Sequence, residues 1–209
     1  MGVPTALRSL LAALVATAVA VGGGVAVVGS DPKAPPAEVP PVALADLDTT
    51  VLAAQRAGFC AVLTPDQVAA ALGGEPAAST SYDNGERAEV AAGVADVAHE
   101  FGCSWTGADG GEARGWVFAP PVTADRAQRL ARAAARAEGC RRLPDAPAYG
   151  AASVAVVCAA DGTRVVSHRG LFGDAWLVCS LSAPATTSRA ELVERADRWC
   201  AAVVISSTS

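Results

Sequence analysis

The stretch Ala98-His99-Glu100-Phe101-Gly102-Cys103-Ser104-Trp105 sets a histidine, a glutamate and a cysteine within five positions, and these are zinc-ligating residue types. Spacing decides against a metal centre. Val97, His99, Phe101, Cys103 and Trp105 alternate with Ala98, Glu100, Gly102 and Ser104, which predicts a half-buried strand. On a strand His99 and Cys103 stand roughly 13 Å apart, too far to share an ion whose ligands each lie about 2.0–2.3 Å from it. His99 and Glu100 point to opposite faces. The zincin pattern H-E-x-x-H needs a helix and a second histidine where this chain has Cys103. The expectation is no metal, with His99 at the edge of a buried face and Cys103 in a disulfide.

Hydrolytic chemistry has two histidines to draw on, His99 and His168. Ser167, His168 and Asp174 are close in sequence, but adjacent strand residues face opposite ways, and there is no G-x-S-x-G elbow. Ser167 and His168 therefore read as an exposed strand pair. No two carboxylates are marked out for glycosidase work. No catalytic residue is assigned and no cofactor is implied.

In RAQRLARAAAR, Arg126, Arg129, Arg132 and Arg136 recur at helical spacing, with Arg141 and Arg142 following. They read first as the solvated face of an amphipathic helix. They are also the candidate anionic-ligand face, suited to a lipid headgroup or wall polymer. Leu171 and Phe172, near an expected turn, read equally as an apolar partner contact and as a pair tucked under the sheet.

The six cysteines are Cys60, Cys103, Cys140, Cys158, Cys179 and Cys200. No C-x-x-C occurs, which argues against a zinc ribbon and a thioredoxin-type site. Six cysteines allow 15 pairings, and spacing alone does not choose. A weak internal repeat helps: RAGFC, RAEGC and RADRWC end at Cys60, Cys140 and Cys200, and APPVTADRAQ (119–128) parallels SAPATTSRAE (182–191). Pairing each helix-end cysteine with the next strand cysteine gives Cys60–Cys103 and Cys140–Cys158, leaving Cys179–Cys200.

These residues need elements to position them. LTPDQVAAALGG carries Thr64 as cap, Pro65 in the first turn, Gln67 to complete a capping box and Gly73 as stop. DTTVLAAQRAGFC before it reads as another helix. Residues 124–138 form a helix capped by Thr123 and stopped by Gly139, and Ser188 with Glu191 opens a last one to about Val204. GWVFA, SVAVVCAA, TRVVSHRG and AWLVCSLS join the first strand, with Trp116 and Phe118 sharing a face. The order α-α-β-β-α-β-β-β-α lacks continuous β-α-β alternation. The fold class expected is α+β: a mainly antiparallel sheet of about five strands with helices packed on it, three disulfides and a weak internal repeat.

The flanks and the charge locate this domain. From Leu10 to Gly29 the chain carries no charge, about the length that spans a bilayer. Residues 1–30 read as a signal peptide or N-terminal transmembrane anchor, N-inside and C-outside. Residues 31–45 form a Pro-rich linker, and 46–209 the extracytoplasmic, disulfide-stapled domain. A net charge of −5 gives no overall field for nucleic acid. The charge is uneven: twelve acids against Arg56 and Arg87 over 37–112, a balance of −10, and seven arginines against Asp125 and Glu138 over 113–142, a balance of +5.

FCAVLTPDQVAAALGG followed by FGCSW resembles actinobacterial secreted or membrane-anchored domains of unknown function found among mycobacterial lipoproteins. The likeness covers residues 58–120. It implies a cell-envelope protein with a Cys60–Cys103 disulfide and carries over no catalytic residue. This chain lacks the lipidated cysteine of that group. The function expected is non-enzymatic ligand or partner binding in the envelope, with membrane contact through the N-terminal segment and an envelope lipid, wall polymer or protein as partner. The alternative is an envelope hydrolase acting on wall or lipid substrates.

Overall fold

The structure is a computed structural model that describes residues 42–91, 93–160 and 162–208. The expected membrane-crossing segment 10–29 lies outside the described residues; among those described, no helix is long and apolar enough to cross a membrane. Among the described residues, the first to pack into the core is Leu44, fully buried in a short 3-10 turn at Leu44–Asp46.

The described elements are α1 (Pro65–Leu72), β1 (Pro76–Tyr82), β2 (Arg87–Ala91), β3 (Val94–Val97), β4 (Glu100–Gly107), β5 (Glu112–Phe118), α2 (Ala124–Ala135), β6 (Cys140–Arg142), β7 (Ala151–Ala160), β8 (Thr163–Phe172), β9 (Ala175–Pro184) and α3 (Arg189–Thr208). One sheet runs β1-β4-β5-β9-β8-β7-β6, with every neighbouring pair antiparallel, and β2 with β3 forms a separate hairpin. The α+β class holds, with seven strands in the main sheet against the five expected. The two additional strands are its edges. β1 (PAASTSY) is exposed along most of its length and β6 has three residues, so neither carries an apolar/polar alternation.

Local chemistry explains the helices. The Gln67 amide donates to Thr64 Oγ1 (3.3 Å) and the Thr64 amide to Gln67 Oε1 (2.9 Å), a closed capping box, and Gly73 takes the left-handed φ of 77° that ends α1. Arg195 of α3 donates through Nε and Nη2 to the Ala71 carbonyl (3.0 and 2.6 Å), satisfying an end-of-helix acceptor. Thr123 Oγ1 accepts from the Arg126 amide at the start of α2, and Ser188 Oγ from the Glu191 amide at the start of α3.

The helix expected over 48–60 is absent. Two 3-10 turns, Thr49–Val51 and Cys60–Val62, flank an extended strap. The strap's backbone bonds elsewhere, the Gln55 amide to the Ser207 carbonyl (2.8 Å) and the Ala54 amide to the Phe172 carbonyl (3.4 Å). Buried Thr49 accepts from the Gly150 amide and donates to the Ala148 carbonyl. Tertiary partners outbid the helical ladder for these backbone groups.

The sheet carries a core on each face. Helices α1 and α3 cover the face bearing Val117, Phe172, Leu177, Leu181 and Val166. There Trp199 meets Trp105 edge-on at 5.6 Å between ring centroids and donates Nε1–H to the Arg114 carbonyl (3.1 Å). Helix α2 covers part of the opposite face, over Val154, Val156, Leu171, Trp176 and Val178. The disulfides are Cys60–Cys103, Cys140–Cys158 and Cys179–Cys200, the pairing the repeat predicts. Three cystines mark a chain that folds in an oxidising, extracytoplasmic space.

Candidate functional site

Strand register places chemistry on the α2 side of the sheet. Across β8, β9, β5, β4 and β1, one row runs Arg169, Val178, Trp116, Gly102, Tyr82, and the adjacent row runs Ser167, Ser180, Arg114, Ser104, Thr80. Because side chains alternate between faces, all of these project to the side on which α2 lies.

A cleft of about 290 Å³ opens between α2 and this face. Trp116, Phe118, Trp176 and Val178 form its floor, Leu130, Ala133, Ala134 and Ala137 its wall, and Arg169 its charged group. The alanines let the wall stand close to the sheet while leaving open volume over the rings. Arg169 is half-buried, and burial lowers the affinity of its guanidinium for the proton. Nε donates to Ser167 Oγ at 3.1 Å, and among the described residues no carboxylate pairs with it.

Beside the cleft, Tyr82, Glu100 and Arg114 form a polar cluster. Tyr82 Oη donates to Glu100 Oε1 at 2.5 Å, and Arg114 Nη2 donates to Tyr82 Oη (3.1 Å) and to the Val90 carbonyl of β2 (2.8 Å). The Arg114 guanidinium carbon also sits 4.8 Å from the Trp116 ring centroid, a cation–π contact. Gly102 makes the cluster possible, since a Cβ there would lie 2.6 Å from the Tyr82 ring and hydroxyl. Burial first, then the Glu100 carboxylate, pushes the Tyr82 phenol up to about 12. Burial also holds the Glu100 carboxyl above its usual value, against the lowering pull of Tyr82 and Arg114. A carboxyl with a raised folded-state pKa favours the folded state when protonated; that contribution is lost as pH rises through the unfolded-state value towards the folded one. Glu100→Gln removes the titration and keeps an acceptor for Tyr82. Its stability relative to the native chain is expected to rise as pH increases above the ordinary carboxyl range, measured by urea denaturation at each pH. A constant difference would contradict this.

The other sequence candidates are scattered. His99 lies in an exposed bend between β3 and β4 rather than on a strand, and Cys103 is bonded to Cys60, so His99, Glu100 and Cys103 do not form a ligand set. Ser167 and His168, expected to be exposed, are 3% and 0% exposed. They face opposite sides of the sheet. His168 Nε2 lies 3.1 Å from Asp197 Oδ1 of α3, but alignment is poor: neither ring nitrogen makes a hydrogen bond to a described residue. Asp174 pairs instead with Arg56 (3.2 Å) at the β8–β9 turn. The Ser167–His168–Asp174 arrangement is therefore not assembled. Leu171 and Phe172 follow the second of their two readings: both are buried, one in each core. Arg126, Arg129, Arg132 and Arg136 all face solvent, without ion pairs among the described residues. Sequence reasoning passed over Arg169, although a lone charge between the apolar runs of TRVVSHRGLF was its signal.

No family model matches the chain, and no curated protein matches it. A solved structure described as a GTP binding regulator from Thermotoga Maritima aligns at 9% identity over 74% of this chain and 96% of that chain, with a TM-score of 0.30. A likeness that low carries no argument about fold or function.

Proposed function

We propose that this chain is a non-enzymatic binding domain of the cell envelope. Segment 1–30 holds it outside the cytoplasmic membrane as a signal-anchor, or releases it where cleaved, and the Pro-rich stretch from residue 31 serves as the spacer, ending before Leu44, which the domain core buries. The reading is supported by the three cystines and the uncharged run at 10–29. Binding rests on one observation: a solvent-open, aromatic-floored cleft that holds a single unpaired guanidinium. Ligand sites combine an apolar lining with a few placed polar groups in this way. The partner is an envelope component reached from the α2 side.

Incubating the full chain with a solvent extract of actinobacterial envelopes, followed by native mass spectrometry, tests the reading. Ala133→Trp places an indole in the cleft from its exposed wall. The native chain is expected to retain an extract component that Ala133→Trp loses. Retention of the same species by both proteins, or by neither, would overturn the assignment.

A further inference from the structure

The cleft's chemistry narrows its ligand. A half-buried guanidinium without a counter-ion is partly stripped of water and uncompensated, and an entering anion relieves it. Because Nε is engaged by Ser167 Oγ, the two Nη groups remain, the end-on pair of donors that matches a carboxylate. Register separates Arg169 from Trp116 by one strand, β9, with Val178 between them on the same face; two inter-strand spacings are roughly 10 Å. The ligand's charge and its apolar body are thus held side by side. The volume, about 290 Å³, lies just below the roughly 300–1,000 Å³ range of ligand pockets, too small for a long acyl chain or a polymer segment as the buried part. Helical geometry sets the exposed Arg126 and Arg129 on the flank of the wall formed by Leu130 and Ala133. Residues 113–142 carry a balance of +5, so the field at the mouth attracts negative charge.

We propose that the cleft binds a small amphipathic carboxylate, an aromatic or short alkyl body seated on Trp116, Trp176 and Leu130, with its carboxylate paired to Arg169. This rests on the cleft being the binding site, the reading given above. The basic stripe of α2 attracts the ligand without holding it.

Three probes of matched shape test both claims separately by calorimetry on the full chain: 2-naphthoate, neutral 2-naphthalenemethanol and cationic 2-naphthylmethylammonium. Naphthoate is expected to bind about tenfold or more tightly than the alcohol, the value of a charge-assisted bidentate pair, with the cation weakest. Arg169→Gln should remove the preference for naphthoate over the alcohol, while Ala133→Trp removes binding of both. Equal binding of acid and alcohol by the native chain overturns the carboxylate assignment and leaves the cleft a binding site. Binding that survives Ala133→Trp, or no binding of any probe, overturns the site itself. The ranking on native protein decides the question even where Arg169→Gln does not fold. Arg169→Lys, which keeps the charge without the fork, is expected to retain a reduced preference for the acid.

Discussion

Reduction of the three cystines is expected to leave this domain unfolded at neutral pH. The bonds join residues 43, 18 and 21 positions apart, and their loops follow one another without overlap. In the chain-entropy account each therefore restricts a different part of the unfolded chain, by about 3–4 kcal/mol, and the three contributions add to about 10 kcal/mol. A domain's net stability is about 5–15 kcal/mol, so little remains once they are cut. Cys103, Cys179 and Cys200 are also buried, and thiols in their place pack less closely. Circular dichroism after reduction, with thiol alkylation to confirm it, checks the prediction. A reduced chain that keeps its native spectrum and cooperative melting would contradict it and remove the physical basis for placing the domain in an oxidising space.

His168→Ala is expected to cost about 3 kcal/mol of stability without touching ligand binding. The imidazole is fully buried, packed at 5.8 Å from the Tyr149 ring and 3.1 Å from Asp197. Truncation opens a cavity and strips Asp197 of its neighbour, and buried large-to-small changes cost about 2–5 kcal/mol. His168→Leu restores most of the volume and removes two ring nitrogens that lack protein partners, so it is expected to cost less. The cleft lies on the opposite face of the sheet from this side chain. Urea denaturation of both variants, beside naphthoate binding, gives the ranking. An envelope hydrolase predicts the reverse pattern: both variants equally inactive, with stability unchanged.

The contrast between His168 and Arg169 shows how far sequence reasoning reaches. The apolar segments TRVVSHRG and AWLVCSLS predicted β8 and β9, and the cap signals at Thr64, Thr123 and Ser188 predicted the starts of the three described α-helices, because those signals are local. The cystine pairing was legible through the repeat, since equivalent elements place equivalent sulfurs. What period two does not say is what lies on each face. Adjacent residues of β8 go to opposite cores, His168 towards α3 and Arg169 towards α2, and only the order β5-β9-β8 brings Arg169 into line with Trp116. The strap at 52–59 misled for the same reason: its alanines suit a helix, but its backbone partners, the Phe172 and Ser207 carbonyls, are more than a hundred residues away in the chain.

The consecutive pairing, first cysteine with second, third with fourth and fifth with sixth, bears on biogenesis. A chain that emerges amino end first presents each sulfur just before its mate. A strong, unselective oxidant acting in order of emergence therefore makes the native set directly. Thiol–disulfide exchange, otherwise a step of seconds to hours, has no wrong bond to repair, and maturation of this domain is expected to depend on an oxidase and not on an isomerase.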